Sequence, residues 1–285
     1  MSDIDLLLHA ETLDDDYASL HAACALAVRL QARLDALYIA DLPTAAFSLP
    51  EAVPMHLEEV RRRCDDAQHH AEPWRQRLAT LGLEGSWRIA QGERVPLLCR
   101  AAAGYTWLIV ERSRQFSDAP VGFGTASRCV FGSGRPVLVV PGGVEIRKVG
   151  ARVVVAWNGS RESTLALTAA VPVLQRADEI LVLDGSDGGA DSSDPDRLAN
   201  EQARTLPPPG LTDWLQRRGV KARVEPFDAG PNQAAGPGVL NAAHAFQADL
   251  IVMGAWGRSR FSELVLGGTT RHLFMQSDLP MLVAR

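Results

Sequence analysis

Two stretches of this sequence repeat one another at a nearly fixed spacing, and that repetition decides more about the fold than any single motif. Leu30-Gln31 followed by Leu37-Tyr38-Ile39-Ala40-Asp41 returns as Leu174-Gln175 followed by Leu181-Val182-Leu183-Asp184, 144 residues on at the first pair and 143 at the aspartate. Thr106-Trp107-Leu108-Ile109-Val110 returns as Ala248-Asp249-Leu250-Ile251-Val252. Gly124-Thr125 with Pro136-Val137-Leu138-Val139 returns as Gly268-Thr269 with Pro280-Met281-Leu282-Val283, again 144 apart. One module present twice accounts for all of these matches. The length of 285 residues agrees, since a typical domain takes about 150. The split expected from the glycines and the charged run between the copies is residues 1–143 and 149–285, with the boundary inside Pro141 to Gly150.

Each copy alternates short β-branched runs with helical patterns. In the second, Val153 to Trp157 reads as a buried strand, and Asn158-Gly159-Ser160 as a turn with a helix cap at Ser160. A helix through Leu165, Leu167 and Val171 follows, then a strand from Ile180 to Leu183. Further on come a helix near Leu211 to Arg218, a strand near Val220 to Phe227, a helix from Val239 to Phe246 and a strand at Leu250 to Met253. The first copy keeps this order with one longer helical segment, Glu51 to Leu81. Continuous apolar strands between helices imply an α/β fold, a parallel sheet covered on both faces.

Charge narrows the partners. A formal net charge of −5 offers no general attraction to nucleic acid or to an anionic membrane. No apolar run approaches a bilayer span, and Met1 to Leu8 lacks the features of a secretory signal, so a cytoplasmic protein is expected. Cys24, Cys64, Cys99 and Cys129 form no C-x-x-C pair and suit the role of small hydrophobes in a reducing compartment. The aspartates between Gly185 and Pro209 miss the calcium-loop spacing and read as a solvated loop.

The stretch richest in chemistry runs from Met253-Gly254-Ala255-Trp256-Gly257 to Leu266-Gly267-Gly268-Thr269-Thr270-Arg271-His272. It starts at the carboxyl end of a predicted strand and ends in a predicted helix. In open parallel sheets that crossing is where ligands bind. Glycine lets backbone N–H groups approach a phosphate, and the positive end of the following helix favours the anion. Turn formation alone explains part of the glycine content. The P-loop lysine is missing, because the chain's two lysines, Lys148 and Lys221, lie elsewhere.

The spacing Gly254-x2-Gly257-x9-Gly267, preceded by Leu250 to Met253, resembles the nucleotide-binding signature of the universal stress protein family, as does Val154 to Ser160 at the head of the second copy. The resemblance implies two tandem doubly wound modules, each a five-stranded parallel sheet of order 3-2-1-4-5, paired through their last strands. It further implies ATP, with magnesium as counter-ion, across the ends of strands one and four of the second module. Gly254, Gly257, Gly267, Gly268, Thr269 and Thr270 would then surround the phosphates, and Asn158 and Val182 would flank the ribose and adenine. Two positions depart from the pattern: Asn158 stands where the family carries Asp, and Gly268 where it carries Ser or Thr.

The first copy has Glu111-Arg112-Ser113-Arg114 after Val110, without the glycines, in a loop two residues shorter. A carboxylate there repels phosphate, so a degenerate first site is expected. His9 ends the first strand beside that crevice, and Arg258, Arg260 and Arg271 lie near the expected phosphates or on a solvated surface. No Ser/His/Asp order, G-x-S-x-G elbow or H-E-x-x-H zinc pattern is visible in the sequence. The reading is therefore a stress-response regulator or interaction protein that binds an adenine nucleotide and hydrolyses it slowly at most. The alternative is a nucleotide-free protein acting through an unidentified protein partner or as a homodimer.

Overall fold

The structure, a computed structural model, describes residues 4–41, 53–112, 124–186, 210–228, 235–255 and 268–285. The first half runs β1 (Asp5–Ala10), α1 (Ala18–Leu30), β2 (Arg33–Asp41), α2 (Val53–Gln68), α3 (Ala71–Leu81), β3 (Trp87–Gly92), α4 (Arg94–Ala102), β4 (Trp107–Arg112), α5 (Thr125–Gly132) and β5 (Val137–Pro141). The second half runs β6 (Arg152–Trp157), α6 (Arg161–Leu174), β7 (Glu179–Asp184), α7 (Leu211–Arg217), β8 (Arg223–Pro226), α8 (Ala235–Ala245), β9 (Leu250–Gly254), α9 (Gly268–Gln276) and β10 (Met281–Ala284).

All strands join one ten-stranded sheet, ordered β3-β2-β1-β4-β5-β10-β9-β6-β7-β8. Within each half every pair is parallel and the order is 3-2-1-4-5. The halves meet where β5 and β10 run antiparallel, with Leu138 opposite Leu282. Those two leucines are repeat equivalents, so the seam lies on a local two-fold relation between the halves.

Strand alternation divides the apolar residues between two faces. Leu6, Leu8, Val153 and Val155 pack with α1, α3, α6 and α7. Leu7, Val154, Ile251 and Val283 pack with α4, α5, α8 and α9. Both clusters cross the seam, so each face has one core shared by the two halves. Among the described residues no helix is long and apolar enough to cross a membrane, and the four cysteines are free.

Two local differences from the sequence reading have visible causes. The long segment from Glu51 to Leu81 breaks at His69-His70. There the Ala67 carbonyl accepts the Trp87 indole N–H at 2.9 Å, and Trp74 packs on the Trp87 ring at 6.0 Å. The strand near Val220 shrinks to Arg223–Pro226, because the N–H of Val220 is drawn back to the Leu215 carbonyl at 3.0 Å.

The link between the halves is held at its far end. Gly150 has φ +81°, and a Cβ there would stand 2.3 Å from Val173 Cγ2. The Asp249 carboxylate accepts the N–H groups of Gly150, Ala151 and Arg152 at 2.8–3.2 Å, which fixes the first turn into β6.

Candidate functional site

In the second half the carboxyl ends of β7, β6 and β9 lie side by side, with Trp157 opposite Asp184 and Ala156 opposite Met253. The chain leaves β6 through Asn158-Gly159-Ser160. Gly159 has φ +74°, a conformation that residues with a Cβ resist. The Asn158 Oδ1 accepts the Ser160 N–H at 3.2 Å, and the Ser160 Oγ accepts the Ser163 N–H at 3.2 Å. Asn158 thus shapes the turn, and Ser160 caps α6 as its sequence position predicts. On the neighbouring strand the Gly185 N–H donates to the Trp157 carbonyl at 2.8 Å, and the Asp184 Oδ1 accepts the Ser186 N–H at 2.9 Å.

Gly254 closes β9 against the first turn of α6. A Cβ there would lie 2.4 Å from the Ser163 nitrogen and 2.5 Å from the Glu162 carbonyl carbon, both backbone atoms. Its absent side chain is therefore required by helix-on-strand packing, whatever the crevice holds. Gly268, by contrast, begins α9 exposed, with nothing within 4 Å of where a Cβ would stand. Thr269 is half-buried and Thr270 buried in that first turn. Because α9 crosses from β9 to β10, parallel strands, its amino end lies on the same side of the sheet as the carboxyl end of β9.

Asn158, Gly254, Gly268, Thr269 and Thr270 thus fall at the carboxyl side of the sheet. Val182 does not reach that rim. It lies two residues inside β7, wholly enclosed in the core, between Val155 and Val224. The rim residue on β7 is Asp184, half-buried, which the sequence reading matched to Asp41 without giving it a role. The signal was available: strands covered on both faces end where their apolar run ends, and that run stops at Leu183. Gly257 and Gly267, with Arg258 and Arg260, lie outside the described residues.

Sheet register also corrects the alignment of the halves. Glu111 pairs with Val140, and Gly254 pairs with Ala284. Val140 and Ala284 are equivalent at the spacing of 144, so Glu111 occupies the place of Gly254. The loop of the first half is then one residue shorter than its counterpart, not two.

At the sheet position where the second half has Gly254, the first half carries the carboxylate of Glu111. Its Oε2 accepts the Ser19 N–H at 3.0 Å in the first turn of α1, a helix whose N-cap residue, Tyr17, makes no side-chain cap bond. Arg94 binds Asp41 at 3.2 Å and reaches Glu11 at 3.9 Å across the same mouth. Burial pushes the Glu11 carboxyl above its ordinary range, Arg94 works against that, and nearby Glu111 adds to it. His9 is 2% exposed in β1, and burial with Arg94 close by lowers its pKa from 6.5 to about 3, so its ring is neutral.

Comparison with known proteins adds family and fold. Residues 151–285 match the universal stress protein family. A universal stress protein from Archaeoglobus fulgidus DSM 4304 aligns over 99% of this chain and 96% of its own, at 15% identity and a TM-score of 0.70. A putative universal stress protein from Pseudomonas aeruginosa UCBPP-PA14 aligns over 99% of this chain and 94% of its own, at 16% identity and a TM-score of 0.56. These likenesses show that the chain has the tandem fold of those proteins. No curated protein matches the chain in sequence.

Proposed function

Residues 151–285 are a universal stress protein domain, and from that premise we propose that the second half binds an adenine nucleotide, ATP in the cell. The ligand would lie across the ends of β6, β7 and β9. The observation that carries this reading is the contrast at one sheet position: Glu111 sets a carboxylate in the first crevice, and Gly254, packed on the backbone of α6, sets none in the second. An anion entering the second crevice meets the amino ends of α6 and α9, with no carboxylate at the position that Glu111 fills in the first half. In this reading residues 1–143 carry a closed site and residues 149–285 the working one.

Gly254, Gly257, Gly267 and Gly268, with Thr269 and Thr270, would line the phosphate side. Asn158 would stand at the ribose side, and the adenine, beside which the resemblance sets Val182, would meet β7 at its rim residue, Asp184. Magnesium would accompany the triphosphate as counter-ion, with no side chain of this chain assigned to it. Binding would make the protein a stress-response regulator or interaction protein, with slow hydrolysis at most.

Calorimetric titration of ATP into the full chain tests the reading. Saturable binding that Gly257→Val or Gly267→Val abolishes supports it, and unchanged affinity in both variants overturns the site. A nucleotide-free role is the second reading. It is favoured by Asn158, whose carbonyl is already engaged by Ser160, and by the missing hydroxyl at Gly268. Mass spectrometry of small molecules released from freshly purified, denatured protein separates the two: a bound adenine nucleotide excludes the second.

A further inference from the structure

A cavity of about 570 Å³ opens in the first half between α4 and the strands β2 and β3. Asp5 and Arg33, the first residues of β1 and β2, line it, and so does Arg88 near the start of β3. It therefore sits at the amino-terminal side of the sheet, away from both crevices. Its floor is apolar, with Leu37, Ala90, Leu97 and Ala101. The size falls within the range of small-molecule sites, ~300–1,000 Å³.

The polar wall is fixed in place. Asp35, 6% exposed, accepts the Ser86 N–H at 2.7 Å and the Tyr105 hydroxyl at 2.7 Å, with Arg33 Nε at 3.3 Å. The Tyr105 oxygen in turn accepts from Arg88 at 3.1 Å. Burial and Asp35 raise the pKa of Tyr105, which keeps its proton and the chain of bonds intact. Three guanidinium groups, Arg33, Arg88 and Arg100, face two carboxylates, Asp5 and Asp35. Among the described residues Arg88 bonds only to the neutral hydroxyl, and Arg100 has no hydrogen-bond or ion-pair partner.

The second half fills the matching space. Ala10, Tyr38 and Ile89 lie abreast across β1 to β3, as Trp157, Asp184 and Pro226 do across β6 to β8. Phe227 therefore takes the place of Ala90. Its ring lies 2.9 Å from where a Cβ of Gly238 would stand on α8, and Phe246 lies nearby beneath Arg152 at 4.7 Å. The first half has an opening where the second has aromatic rings.

We propose that this cavity binds a small organic anion. Its phosphate or carboxylate head is held by Arg88 and Arg100, and its apolar body rests on Leu37, Ala90 and Leu97. Planar guanidinium forks match either head group, and of the two carboxylates Asp35 is already committed to Ser86, Tyr105 and Arg33, while among the described residues neither Arg88 nor Arg100 is bonded to a carboxylate.

Calorimetric titration of the full chain with phenyl phosphate, phenylacetate and neutral benzyl alcohol tests the proposal, and the stronger of the two anions identifies the head group. At least one anion is expected to bind with Kd below ~1 mM, at least ~10-fold tighter than the alcohol. Arg88→Ala with Arg100→Ala, and Arg100→Glu alone as an exposed change that leaves the core untouched, should each weaken the anion ~10-fold or more. Ala90→Phe should abolish binding by supplying the ring of the second half. Absence of binding by both anions overturns the proposal. So does equal binding of the alcohol, or full affinity in Arg100→Glu and the double variant.

Discussion

His9 shows how one side chain's surroundings set a property of the whole chain. Its folded pKa lies near 3 and its ordinary value is 6.5, so the unfolded chain takes up a proton first as pH falls. The stability it supports is complete above pH 6.5 and is lost as the pH drops toward 3. Between pH 7 and pH 4 the loss is about 3 kcal/mol at 1.36 kcal/mol per unit. Urea titrations across that range should show the slope in the parent and a flatter profile in His9→Gln; parallel profiles would refute the assignment. The two glycines of the second crevice differ in kind. Gly254→Ala must displace backbone of α6 and should cost about 1–3 kcal/mol. Gly268→Ser enters open space, should leave the urea midpoint within ~0.5 kcal/mol, and restores the hydroxyl the family pattern carries. If ATP binds as proposed, that variant binds it more tightly. A midpoint unchanged in Gly254→Ala, or shifted strongly in Gly268→Ser, contradicts the packing described.

Between elements, the most informative contact runs from one half to the other. Arg112, at the end of β4, donates to the carbonyls of Phe274 and Ser277 at the carboxyl end of α9, the latter at 2.5 Å. A cation there satisfies carbonyls that the helix cannot, and it opposes the negative end of the dipole. Arg112→Ala should lower stability by about 1–3 kcal/mol and speed amide exchange in the last turn of α9; unaltered exchange there would count against the clamp. This contact was not legible in the sequence. Element types were: apolar runs marked the strands, and Ser160 marked the start of α6. The 3-2-1-4-5 order came with the resemblance and matches the sheet. Position along a strand was harder to read. Val182, which the resemblance sets beside the adenine, is enclosed, because β7 runs two residues further, to Asp184. Glu111 looked offset from Gly254, because the repeat spacing changes from strand to strand and only sheet register fixes it. The anion cavity was invisible for a related reason. It depends on Ala90 standing where Phe227 stands, an equivalence that no local motif announces.

Across the whole molecule, the seam joins more than two strands. Leu138 is fully enclosed in a core that spans both halves. Leu138→Asp should therefore unfold both halves in one transition, since an unpaired buried charge costs several kcal/mol. Two separated calorimetric transitions in the parent protein would show instead that the halves are energetically independent. The antiparallel register of β5 on β10 has a consequence of its own. Each strand shields the other's unbonded backbone from solvent, so a polypeptide of residues 149–285 alone would bare a sticky ribbon and should seek a twin of itself, running as a dimer in light scattering. By supplying the twin within one gene product, the tandem arrangement frees the two surfaces to drift apart in chemistry, which a self-paired homodimer, bound to mirror every substitution, is unable to do.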